Sequence, residues 1–441
     1  MRAPKAPAIR SDAKASSDPV RAERTRRKTR RGLSEVEVRK ARQIIAEPAP
    51  SPSSSPRKLR KLAVIAALPI LFGCASVPLY SDPTSNEKGR PLPIQVYDVD
   101  WTVKLVPDQF WEYAPREPAS PSVDPETGRI IALTRDGYVR SLSPEGKIEW
   151  EFKASMPFNA AALVHDGVVY VAGADGFLYA LNGRTLNKDG ELLWKYKAGE
   201  ELATTPVFAN GKILVASETD VLYALDAKTG KWLWQARRDM PSGFTIRGTA
   251  TPRVTMGVVY MGWADGTLTA LDLNDGTTKW EKELASAAAQ FADVDTSPVV
   301  DDSGTVYAAS YKDGIYALSA DNGDLLWHTV AQGLTSLVSR GDVLFGAGDG
   351  KVVAIHAKTG QTLWTLEIGN RYARMPLLVK GLLIVPTNGA LIFVDPVTGH
   401  SRVSWDPGKG VSATPVWADS RLYVLSNLGH LYALDLIGRH G

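Results

Sequence analysis

A single cysteine, Cys74, stands among the 441 residues, so no intrachain disulfide can form. Apolar runs are short as well. The longest, LAVIAALPILFG (62–73), falls well below the roughly 20 residues that a helix needs to cross a bilayer. Histidine is scarce: His165, His328, His356, His400, His430 and His440 lie far apart, without metal-ligand spacing. No H-E-x-x-H, G-x-S-x-G or phosphate-loop motif occurs, which counts against zinc-protease, serine-hydrolase and nucleotide-hydrolase chemistry. Past the first 61 residues, positive charge is also in deficit. Residues 1–61 hold 18 Lys/Arg against 6 Asp/Glu, whereas 62–441 hold 33 against 42. The body is acidic, so the net charge of +3 gives no reason to expect nucleic-acid binding.

The lone cysteine has an informative setting. Basic RKLRK (57–61) precedes the apolar run, and LFGC then ends at Cys74. This is the pattern of a secretory signal over 57–73, and LFGC resembles a lipobox with an unusual Phe before the Gly. The resemblance implies cleavage before Cys74 and acylation of its new N-terminus, a stable membrane anchor. Ala75 follows the cysteine, where an Asp would resemble an inner-membrane retention signal, so the outer membrane is expected. Residues 1–56 read as a basic disordered extension or as a start assigned too early, and 74–97 as a flexible tether.

From residue 98 onward the sequence repeats. Eight copies of one phrase run from GRIIALTRDGYVRSLS (128–143) through GVVYMGWADGTLTALD (257–272) to SRLYVLSNLGHLYALD (420–435). Each copy is two short β-rich runs broken at a turn, and six of the eight turns carry Asp-Gly or Asn-Gly, which tolerate the positive φ of a type I′ hairpin. A further strand with a Trp follows (Trp150, Trp194, Trp234, Trp280, Trp327, Trp364, Trp405), and another strand precedes each phrase. Four antiparallel strands repeated about every forty residues describe a propeller blade. The sequence therefore predicts an all-β, eight-bladed β-propeller over 98–441. After Trp405 the chain is too short for an eighth Trp strand, and VDWTVKLV around Trp101 supplies one, closing the ring from the N-terminal end. A large aromatic at one place in every blade reads as core between blades rather than as a stacking platform for ligands.

The strand-opening phrases differ in charge. Aligned on Pro206, Pro252, Pro298 and Pro415, the position five residues earlier holds Glu201, Arg247, Asp293 and Gly410. Arg247 and Asp293 thus fall in consecutive blades on one face, with Asp295 two residues on and Phe244 and Ile246 beside the arginine. Apolar groups next to a small charge cluster on a rim have the composition of a protein-binding patch, although a salt bridge between blades would explain the charges alone.

Two resemblances follow. The blades resemble those of quinoprotein dehydrogenases, which hold pyrroloquinoline quinone and calcium. This chain lacks their adjacent cysteines and longer inter-blade segments, and no Glu/Asn/Asp set can be assigned to calcium, so a quinone-dependent oxidoreductase is the weaker reading and no cofactor or metal is expected. More specifically, DMPSGFTIRGTATP (239–252) followed by DVDTSPVV (293–300) resembles the BamB family, propeller lipoproteins of the outer-membrane β-barrel assembly machinery. That resemblance implies a non-enzymatic scaffold. It also implies that Phe244, Ile246, Arg247, Asp293 and Asp295 bind the POTRA domains of a BamA-like subunit alongside other subunits of that machinery. A propeller lipoprotein serving another envelope complex is the remaining alternative.

Overall fold

Each repeat phrase folds as the middle hairpin of a four-stranded antiparallel sheet. The computed structural model describes residues 95–107, 112–239, 250–284, 293–294 and 296–437, all within the unit Ala75–Gly441. Blade 1 comprises Ser122–Val123, Ile130–Leu133, Tyr138–Leu142 and Ile148–Lys153, paired in that order. Blades 2 to 5 repeat the plan, with first strands at Leu163–His165, Val207–Ala209, Arg253–Thr255 and Val299–Val300. In blade 6 one continuous run, Val343–His356, supplies both middle strands: Val343–Gly348 pairs with Leu334–Arg340, and Lys351–Ile355 with the Trp-bearing strand Thr362–Tyr372. Blade 7 begins at Leu377–Val379. Blade 8 joins Val416–Ala418, Arg421–Leu425 and His430–Leu436 to the N-terminal strand Tyr97–Lys104. The register of that closing pair runs from Tyr97 opposite Leu436 to Lys104 opposite His430.

The eight blades form a ring. First strands of blades 8, 1, 2, 3, 4, 5 and 6 touch in succession and line the centre. Apolar side chains collect between blades rather than within them, because each blade exposes two sheet faces that must be covered. Val169 and Leu181 of blade 2, for example, pack with Ile131 and Trp150 of blade 1. Ile130 and Ala132 of blade 1 meet Leu425, Leu431 and Ala433 of blade 8 across the seam where the ring closes.

The turns depart from the sequence expectation in position. At the Asp-Gly turns between middle strands only the Gly has positive φ (Gly137 +77°, Gly176 +77°, Gly266 +88°). Thr134 N–H donates to Tyr138 O and Gly137 N–H to Thr134 O, so these are type I turns closed by a glycine bulge. The extra residue lets the turn aspartate accept a backbone N–H two residues on, as Asp265 Oδ1 does from Thr267 at 2.9 Å. The two-residue type I′ turns, with both residues at positive φ, instead join first and second strands at Asp166-Gly167, Asn210-Gly211 and Met256-Gly257.

The repeated tryptophans fill the gaps between blades and are tied across them. Nε1 of Trp194, Trp234, Trp280, Trp327 and Trp364 donates to a carbonyl of the next blade, for instance Trp234 to Leu273 at 3.1 Å. Trp101, in the closing strand, does the same to Pro144 of blade 1 at 3.0 Å. Beneath each of these rings lies the glycine of the next blade's outer turn. A Cβ on Gly276 would come within 2.6 Å of the Trp234 ring. Two tryptophans deviate. Trp150 faces the longer outer turn of blade 2 (182–191), and its buried Nε1 meets no acceptor among the described residues. Trp405 faces the closing strand and packs on Tyr97 and Tyr432 instead.

Candidate functional site

Antiparallel connectivity places the strand entries and the turns between middle strands on one face of the ring, here the upper face. The closing strand starts on the opposite, lower face, since Tyr97 pairs with Leu436. Two features could carry function: the central channel and the upper-face rim.

The channel encloses about 1200 Å³ and receives residues from all eight blades. Its wall is built of small and apolar groups such as Val123, Phe208, Leu337 and Trp417, with Arg253 as the charged residue. Among the described residues no Asp, Glu or His lines it. The donor set therefore does not fit a calcium-quinone pair, and no general acid or base is positioned there.

On the upper rim, carboxylates of three consecutive blades converge. Asp220 occupies the last turn position of blade 3, where six other blades place glycine, and takes the same left-handed backbone (φ +57°). It is almost fully buried and accepts Ala264 N–H at 3.0 Å. Burial pushes its pKa up to about 6, and the charges of Asp265 and Asp293 push the same way. Asp293, the described member of the expected docking set, has no exposed surface. Its carbonyl accepts Tyr311 N–H at 3.3 Å, while the adjacent Val294 N–H donates to Trp263 O at 3.1 Å, so backbone bonds anchor this entry to blades 4 and 5. Phe244, Ile246, Arg247 and Asp295 lie outside the described residues, as does Cys74. Sequence reasoning missed Asp220 and Asp265. The available signal was SETDV (217–221), which puts Asp at a position held by Gly in most copies of the phrase.

A second polar group marks the seam. Arg135 of blade 1 bridges Glu112 at 2.9 Å and the fully buried Glu117, whose carboxylate also accepts Arg135 N–H at 2.8 Å. Glu117 N–H donates to Asn427 Oδ1 of blade 8 at 3.2 Å, and Asn427 Nδ2 donates to Lys409 O at 2.8 Å. Burial raises the Glu117 pKa to about 7 even with the arginine beside it.

With this geometry in hand, the family described as "Outer membrane protein assembly factor BamB" matches the chain over 101–189, 135–366 and 348–440. The chain belongs to the BamB family. Among its relatives, BamB of Shewanella oneidensis is 28% identical over 218 residues, covering 47% of this chain and 54% of the relative. BamB of Escherichia coli K12 is 27% identical over 205 residues, covering 44% and 52%. The matched segment thus spans about half the length of these relatives. In structure, BamB from Moraxella catarrhalis superposes with a TM-score of 0.67 at 22% identity, over 77% of this chain and all of the other. The quinohemoprotein alcohol dehydrogenase from Comamonas testosteroni reaches 0.62 at 14% identity, over 79% and 78%. At these identities both likenesses speak for the propeller fold alone.

Proposed function

We propose that this BamB-family chain is a non-enzymatic scaffold of the outer-membrane β-barrel assembly machinery, held by acyl chains on Cys74 at the periplasmic face of the outer membrane. Its partner is the POTRA region of a BamA-like subunit, and its role is to promote folding and insertion of barrel proteins. The docking patch is the upper rim over blades 3 to 5, formed by Phe244, Ile246, Arg247, Asp293 and Asp295. One observation supports it above the others: the carboxylates of Asp220 and Asp265, in the turns of blades 3 and 4, gather with that of Asp293 at the entry to blade 5. Buried Asp293 suits a positioning group that orients a neighbouring cation, while Phe244 and Ile246 would supply the apolar contact. Among the described residues the channel wall carries no Asp, Glu or His.

The test is a pull-down from detergent-solubilised envelopes with wild type, Arg247→Glu and Asp293→Arg, with thermal melts of each. Wild type should retrieve a POTRA-bearing barrel protein, and Arg247→Glu should lose it without a lower melting temperature. Equal retrieval by all three would remove the docking assignment. Failure of the wild type to retrieve any such protein would remove the assembly role.

A further inference from the structure

Charge on the upper face is uneven. At their entries and turns blades 2 to 5 carry Asp175, Glu200, Glu201 and Asp265 together with the buried Asp220 and Asp293, and among the described residues Lys197, Arg237 and Lys312 are exposed cations of that arc. The outgoing end of blade 6 presents Arg371, and the entries of blades 7, 8 and 1 present Arg374, Lys409 and Arg116, all exposed. Hydrogen bonds of Thr414 tie the three basic entries together: its N–H donates to Ser120 Oγ of blade 1 at 2.8 Å, and its Oγ1 to Met375 O of blade 7 at 3.3 Å. Arg374 immediately precedes Met375, and Arg116 stands four residues before Ser120. Desolvation lowers the pKa of Arg374 below the ordinary guanidinium value, Tyr372 opposes that shift, and the Arg116 charge adds to it.

Nearby carboxylates are committed elsewhere. Glu112 and Glu117 are held by Arg135, Asp136 by Arg140, and Asp406 accepts the backbone N–H groups of Gly408 and Gly410 at 2.9 Å. Among the described residues none of the four cations forms an ion pair; Arg374 instead lies 5.3 Å from the Tyr372 ring centre. An acidic body with carboxylates in excess has no compositional reason to leave like charges facing one another. Water and salt screen that repulsion in part, and a bound anion would relieve it further. The cations extend over three blade entries, too wide for one phosphate, and exposed Tyr113 and Met375 flank them, a mixture of Arg, Tyr and Met that is enriched at protein interfaces.

We propose that the blade 7–8–1 sector is a second docking site, taking an acidic segment of a protein partner. It stands independently of the blade 3–5 patch. Guanidinium groups supply paired N–H donors for successive carboxylates.

The full chain would be photo-crosslinked to a short glutamate-rich peptide and the attachment points mapped by mass spectrometry. Attachment is expected within 112–120, 371–376 and 406–410, and should fall about tenfold in Arg116→Gln/Arg374→Gln, in keeping with the loss of charge-assisted bonds. Lys228→Gln, on the lower face, should leave it unchanged. Because the double variant removes repulsion, its melting temperature should hold or rise, so loss of attachment cannot be ascribed to unfolding. Attachment confined to the basic N-terminal 61 residues, or unaltered in the double variant, would overturn the proposal. So would arginine-dependent binding to phosphatidylglycerol vesicles with no peptide attachment, which would make the ligand a lipid headgroup.

Discussion

Burial governs two upper-face carboxylates, and it gives the protein a pH dependence of known sign. Glu117 is raised from an ordinary 4.5 to about 7, and Asp220 from 3.8 to about 6. Both hold protons more tightly folded than unfolded, so their favourable contribution is complete below the unfolded values and is lost as pH rises through the folded ones. Asp395, held at about 2 by Arg402, changes only below its ordinary 3.8 and leaves this window clear. The melting temperature of wild type should therefore fall between pH 5 and 8 more than that of Glu117→Gln/Asp220→Asn, measured by scanning calorimetry across that range. Parallel curves would show that neither burial is felt. None of this was legible in the sequence. Glu117 lies in a plain REPAS segment, and its burial depends on Asn427, 310 residues away.

At the scale of the blade, pattern and geometry agree on the strands and part at the turns. Alternating β-rich runs and the spaced tryptophans foretold every blade, because a hairpin's apolar period is local. The turn between middle strands was misjudged as type I′, since the same Asp-Gly pair serves a glycine-bulge turn once its aspartate caps a backbone N–H. The glycine under each Trp was equally hidden, because ring and glycine belong to different blades, as with Trp234 and Gly276. Paired substitutions separate backbone strain from this contact. Gly276 and Gly257 share φ of +75°, but nothing lies within 4 Å of a Cβ at Gly257. Gly257→Ala should cost about 1 kcal/mol from backbone conformation, and Gly276→Ala about 1–3 kcal/mol more from forcing Trp234 out of place. Guanidinium unfolding would measure both. Equal losses would mean that the ring yields freely and the inter-blade contact is loose.

For the whole molecule, ring closure was legible because a missing eighth Trp strand and a spare one at the other end can be counted. The closing strand Tyr97–Lys104 completes blade 8, and the Trp101–Pro144 hydrogen bond then ties that blade to blade 1. Closure fixes the angular positions of all eight entries. It is what brings the basic segments around the entries of blades 7, 8 and 1 side by side. The sequence displayed the blade 3–5 patch through Arg247 and Asp293, which interrupt a recurring phrase. It concealed the basic cluster, because Arg116, Arg371, Arg374 and Lys409 come from three segments that only the ring brings together. The central claim is that the blade 3–5 rim docks a POTRA-bearing barrel protein, and site-specific photo-crosslinking in intact envelopes tests it most directly. With a photoreactive residue replacing Phe244, the account predicts a crosslink to that protein, and none from the same residue replacing Lys228 on the lower face. A crosslink from the Lys228 position but not from Phe244 would contradict it.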